Sequence, residues 1–277
     1  MLVAVPPVVA LTVAGSDSGG GAGIEADLRT FAALGVHGAV ALTAVTAQNT
    51  YEVRAVCALE PEMVRAQVEA VVEDMVVAAT KTGMLARPAT VWAVAQLARE
   101  GHLPNLVVDP VLVSSSGHAL MEEGGVVAYR EDLIAHATVV TPNLLEAAVL
   151  CGVAPHTLTT TDDLLRAART IQAMGATYVV VKGGHYARGT VTAERAPDVV
   201  VGPSDEFVLD GVRIETPNDH GTGCSFAAAT AARLALGDEP FDAIRFAKQF
   251  VATALAGSVH WRLGKGHGPI DHMGWGS

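Results

Sequence analysis

Residues 220–225, HGTGCS, stand immediately before an alanine-rich run, FAAATAARLALG. Gly221 and Gly223 flank Thr222 and permit backbone angles that other residues resist. A helix beginning here leaves unpaired N–H groups and a positive dipole end at its mouth. Such a mouth holds an anion without any basic side chain. The same letters also describe a Gly/Thr helix cap with a buried cysteine. Cys224 at the helix start would have its thiolate favoured. His220 is a possible base close to it in sequence.

Other chemistry-bearing residues follow apolar runs. GSDSGGGAG (15–23) is a glycine-rich link in which backbone N–H groups can approach a ligand, or which simply turns tightly. It lacks the GK[ST] of a Walker loop and the acidic residue of a dinucleotide fingerprint. Lys182 ends the run YVVV and either neutralises phosphate or snorkels to water. Asn143 and Glu146 lie three apart at a helix start, where they orient magnesium-bound water or cap the helix. Asp109, before Pro110 and after LVV, is a magnesium or substrate candidate.

The elements that must position these residues alternate. Strands are expected at 8–15, 39–49, 78–85, 106–111, 137–143 and 177–184. Helices are expected at 22–35, 61–75, 88–100, 144–151, 162–174, 222–236 and 240–260. Residues 196–215 read as a hairpin or meander. This order predicts one doubly wound α/β domain over 1–277, with a mostly parallel sheet, helices on both faces and a small β hairpin. Ligands of such sheets bind beyond the carboxyl ends of the strands, where the polar motifs would gather.

Composition narrows the partners. The 277 residues carry 18 Lys+Arg against 29 Asp+Glu, a formal charge of -11, with no basic cluster. That argues against nucleic acid and anionic membrane surfaces. Three scattered cysteines and no CxxC pair fit a reducing cytosol without a disulfide or zinc framework. The apolar N-terminal stretch has no positive residue before Arg29, is interrupted by Pro6-Pro7, and is too short to span a bilayer. It reads as a tail entering the first strand of a cytoplasmic protein. The Val- and Ala-rich strands suggest a homodimer.

Taken together, GSDSGGGAGIEADLRTFAALG, TAVTAQNT, KTGML, VVDPVLVSSSGHAL, TPNLLEA, VVVKGGH, HGTGCSFAAA and GKGHGP resemble, in order, the hydroxymethylpyrimidine/phosphomethylpyrimidine kinases of the ribokinase superfamily. The resemblance covers residues 8 to about 271. It implies a ribokinase-like fold and two ATP- and Mg2+-dependent phosphorylations in thiamine biosynthesis. The first acts on 4-amino-5-hydroxymethyl-2-methylpyrimidine and the second on its monophosphate. By the same resemblance, Gly15, Asp27, Gln48, Met84 and Val111 contact the pyrimidine. The resemblance further implies that Asp109 and Glu146 hold the metal and that Asn143, Glu146, Lys182 and Lys265 meet the phosphates. Gly221, Thr222, Gly223 and Cys224, with Lys182, form the catalytic anion hole. Many relatives in the superfamily have GAGD at this loop, with Asp as base; Cys224 stands in that place here. Asp219 departs from the uncharged residue expected before His220. The nearest alternative activity is a pyridoxal kinase.

Overall fold

The computed structural model describes residues 6–112, 120–184 and 195–276. An eight-stranded sheet runs in the order β10-β9-β8-β7-β6-β5-β1-β2. Its members are β1 (Val9–Ala14), β2 (His37–Leu42), β5 (Val77–Thr82), β6 (Leu106–Val108), β7 (Val139–Val140), β8 (Tyr178–Val181), β9 (Asp198–Val201) and β10 (Glu206–Leu209). Pairing is parallel from β2 through β8, and antiparallel for β9 and β10. The expected hairpin therefore extends the main sheet. A separate antiparallel ribbon joins β3 (Ala44–Gln48) and β4 (Val53–Ala58).

Side chains alternate across the strands and build two cores. Leu11, Val13, Val108, Val179 and Val181 face a core with α2 (Pro61–Val72), α3 (Pro88–Arg99), α5 (Leu144–Cys151) and α6 (Thr161–Gln172). Ala10, Ala79, Val107, Val139 and Val180 face α1 (Gly23–Ala33), α7 (Thr222–Ala235) and α8 (Pro240–Ser258). Each fully buried valine contributes roughly 1.5–3 kcal/mol of transfer free energy. Ala227, Ala228, Ala231 and Ala232 of α7 are fully buried, and their small side chains let α7 lie close to the sheet. Strand connections leave β1 toward one edge and β5 toward the other, so the order reverses between them. That reversal opens a crevice beyond their carboxyl ends.

Two expectations change. The single run at 39–49 is divided at Thr43, whose hydroxyl donates to the Met84 carbonyl (2.6 Å), and the chain leaves the sheet there. The region near 125–136, not assigned from periodicity, is helical: α4 (Gly125–Ala128) continues into a π turn at Tyr129–Leu133 and a 3-10 turn at Ile134–His136. The VSSSGHA part of the resemblance (113–119) and His185 lie outside the described residues.

Candidate active site

The cavity is built around the start of α7. Gly221, its N-cap, has φ +85, and a Cβ there would overlap the Gly21 carbonyl oxygen. Only glycine lets the two glycine-bearing loops meet this closely. No side chain caps the helix. Lys182 follows β8, and its ammonium donates to Asp109 Oδ1 at 3.0 Å. A Cβ on Gly223 would stand 3.2 Å from that ammonium, so the charge lies at the helix mouth. Burial works against the Lys182 charge, but Asp109 and Glu146 outweigh it and raise the ammonium pKa.

Asn143 and Glu146 form a capping box on α5. Asn143 Oδ1 accepts from the Glu146 amide (2.9 Å) and Glu146 Oε2 from the Asn143 amide (2.8 Å). Both residues also line the cavity, so capping and an active-site position coexist. Glu146 is 6% exposed. Burial, reinforced by Asp109, pushes its carboxyl well above the usual range, although Lys182 pulls it down.

Cys224 reverses an expectation. Burial raises its thiol to about 11, and the charge of nearby Lys81 only partly offsets this, as does the Gly23 amide. The helix start therefore does not yield a thiolate at neutral pH. Nor is His220 arranged as its base. His220 Nε2 instead lies 2.8 Å from Asp17 Oδ2 and 3.1 Å from Gln48 Nε2.

At the other end, Gln48 and Thr46 of β3 line the cavity with Gly15, Met84 and Val111. A Cβ on Gly15 would overlap the Met84 methyl. Met84 packs with Ala44, Ala86 and Val111 as an apolar wall.

Two expected residues are not brought to the cavity. Asp27 is fully buried behind it, where Lys81 donates to both carboxylate oxygens (2.9 and 2.8 Å) and Thr12 to one (2.6 Å). Its place on α1 turns it toward β5, and an ion pair satisfies it there. Lys265 is exposed outside the lining. Its segment instead braces a loop: the Lys265 and Gly266 amides donate to Thr50 Oγ1 at 3.2 and 3.1 Å. Asp219, the unexpected acid, lies 2.7 Å from His267 Nδ1 in that same segment.

Some lining residues escaped the sequence reading. Asp17 sits inside the quoted SDSGGG and is 3% exposed. Lys248 of α8 bonds Asp198 (2.8 Å) at the far end of the cavity, and nothing in its helical spacing marks it.

The cavity measures about 1590 Å³, enough for a small ring and a nucleotide together. Among the described residues no group of three or more His, Cys, Asp or Glu forms a cation cage. Asp109 and Glu146 nevertheless supply hard oxygen donors beside Lys182. Mg2+ characteristically takes one or two carboxylates and completes its shell with phosphate and water, so these residues fit it.

The phosphomethylpyrimidine kinase family model matches residues 17–271. The chain belongs to the phosphomethylpyrimidine kinase family. A hydroxymethylpyrimidine/phosphomethylpyrimidine kinase of Rhizobium meliloti (strain 1021) is 45% identical over 96% of this chain and 97% of its own length. The ADP complex of Bacillus subtilis pyridoxal kinase superposes with a TM-score of 0.85 at 39% identity, covering 96% of this chain and 98% of that one. The phosphomethylpyrimidine kinase of Clostridium difficile 630 gives 0.77 at 35% identity, covering 90% and 99%. This family member also contains, among its described residues, no helix long and apolar enough to cross a membrane.

Proposed function

We propose that this cavity carries out both steps of the family's chemistry. ATP phosphorylates 4-amino-5-hydroxymethyl-2-methylpyrimidine to the monophosphate, and then to the diphosphate used in thiamine biosynthesis. The observation that carries the reading is one continuous cavity joining the Gln48, Met84 and Val111 end to the helix mouth with Lys182 and Asp109. Gln48 offers a donor and an acceptor to the amino-nitrogen edge of the ring. Met84 and Val111 pack on its faces. A pyridoxal ring lacks that edge and is the slower substrate.

Phosphoryl transfer through a loose transition state depends on positioning and charge neutralisation. The amides of Gly223 and Cys224 and the Lys182 ammonium would face the γ-phosphate of bound ATP, while the Thr222 amide donates to the Asp219 carbonyl (3.3 Å). Mg2+, held by Asp109 and Glu146 with the phosphates, would neutralise the charge that develops between donor and acceptor. Asn143 holds Glu146 in place through the capping box. A protonated Cys224 cannot accept the substrate's hydroxyl proton. It lines the anion hole, and the hydroxyl proton would pass late to an oxygen of the transferred phosphoryl group, as the O–P bond to ADP breaks.

The ribbon β3–β4, with Val45 and Val56 exposed, is the face through which we expect a homodimer. The protein works in the cytoplasm, on small molecules alone. The test is ADP release that requires both magnesium and the pyrimidine. Release that ignores the pyrimidine would overturn the reading.

A further inference from the structure

Asp17 is the most densely bonded carboxylate at the cavity. Its Oδ1 accepts from the Gly19 amide (2.9 Å), and its Oδ2 from the Gly21 and Ala22 amides (2.9 Å each). Three backbone donors on its two oxygens favour the ionised carboxylate, which is an acceptor only. Burial raises the Asp17 pKa, but His220 and the Ala22 and Gly19 amides overcome it and leave it lowered. His220 Nε2, 2.8 Å from Oδ2, must therefore carry a hydrogen and donate it. The ring cannot readily move away, because it lies against Gly21, where a Cβ would stand 2.5 Å from His220 Cδ2.

The Gln48 amide atom placed as Nε2 lies 3.1 Å from that same nitrogen. The two ends of a Gln amide exchange by a half rotation, and their partners decide which end stands where. A nitrogen already carrying a hydrogen accepts nothing, so the end beside it is the Gln48 oxygen. The N–H is shared between Asp17 and Gln48, and the Gln48 NH2 is left to the cavity.

We infer that Asp17 and His220 are positioning residues that fix the orientation of the Gln48 amide and so determine which pyrimidine edge the enzyme accepts. This rests on the reading of Gln48 as the group that meets the ring. An aminopyrimidine edge pairs its ring nitrogen with the Gln48 NH2 and its amino group with the oxygen. The 4-oxo analogue presents the reverse pattern. Matching it in the same pose requires the amide to rotate, and rotation sets the Gln48 NH2 against the His220 N–H. A buried polar group left unpaired in this way is what gives hydrogen-bonded sites their strong discrimination.

The experiment compares kcat/KM for 5-hydroxymethyl-2-methylpyrimidine bearing a 4-amino or a 4-oxo group, with MgATP. The wild type should prefer the amino compound by at least about a hundredfold. His220→Leu removes the donor, and the preference should fall below about tenfold. His220→Asn is too short to bridge Asp17 and Gln48 and should behave alike, which provides the reading if the leucine variant does not fold. His220→Gln carries an N–H of similar reach and should hold the preference within about threefold of wild type. A purely structural role would lower both rates and leave their ratio unchanged. An unchanged ratio in the folded Leu or Asn variants overturns the inference, as does a wild type that uses both rings equally. A wild type that uses neither pyrimidine contradicts the functional reading instead.

Discussion

The Lys182 ammonium lies 3.0 Å from Asp109 Oδ1 at the mouth of α7, so a carboxylate already matches this cation. The pair is almost withdrawn from water, with the two side chains 14% and 3% exposed. A pair of this kind holds its cation where a phosphate will need it, ready before ATP arrives. Replacing Lys182 by Met removes the cation and leaves Asp109 uncompensated. We expect kcat/KM for ATP to fall by about 10²–10³, the usual loss for an anion-stabilising donor. Steady-state ADP release at varied ATP measures it, and a loss under about tenfold would contradict the role given to Lys182.

Cys224 is placed to line the anion hole, with its thiol protonated at neutral pH. Cys224→Ala should lower kcat by at least about tenfold while changing the KM for the pyrimidine less than about threefold, the pattern of an interaction made mainly in the transition state. Alkylation of this cysteine by iodoacetamide should keep accelerating above pH 9, because the thiol titrates near 11. Unchanged turnover in the alanine variant, or a plateau in alkylation below pH 8, would defeat this assignment.

Glu146 links pH to stability. Burial raises its folded pKa above the ordinary glutamate value of about 4.3, so the native state binds this proton more tightly than the unfolded chain. Its contribution is therefore fully present below that ordinary value and is lost as pH rises toward the raised one. Glu146→Gln keeps an oxygen for the cap on α5 but cannot ionise. Between pH 5 and pH 8 the wild type should lose at least about 3 °C more in Tm than the variant. Melting curves without ATP or magnesium decide it, and parallel Tm profiles would show that the carboxyl titrates normally.

Periodicity captured the parallel sheet, most helices and the edge on which the polar motifs gather, because buried valine runs and helix-start prolines are local signals. Helix α5 has the expected limits, 144–151, since Asn143 and Gly152 punctuate it. The ribbon strand β4 was not legible: its side chains are mostly exposed, so no apolar alternation marks it. Lining residues such as Asp109 and Lys182 at strand ends could be read because their types are out of place beside apolar runs. Asp27 could not. In sequence it looks like any acid on a helix, and only the fold sets it against Lys81, 54 residues away. Lys81 was equally hidden, since a lysine in KTGML gives no sign of complete burial. The Asp17–His220 contact spans 203 residues and depends on two glycine loops touching, which no local pattern records.

Two successive phosphorylations of a pyrimidine in one cavity are the activity to be measured. Its most direct test is coupled ADP release with magnesium and ATP, offering the hydroxymethylpyrimidine, its monophosphate and pyridoxal separately. We expect turnover on both pyrimidines, with pyridoxal slower than either. Turnover on pyridoxal alone, or tight pyrimidine binding with no ADP release, would contradict it.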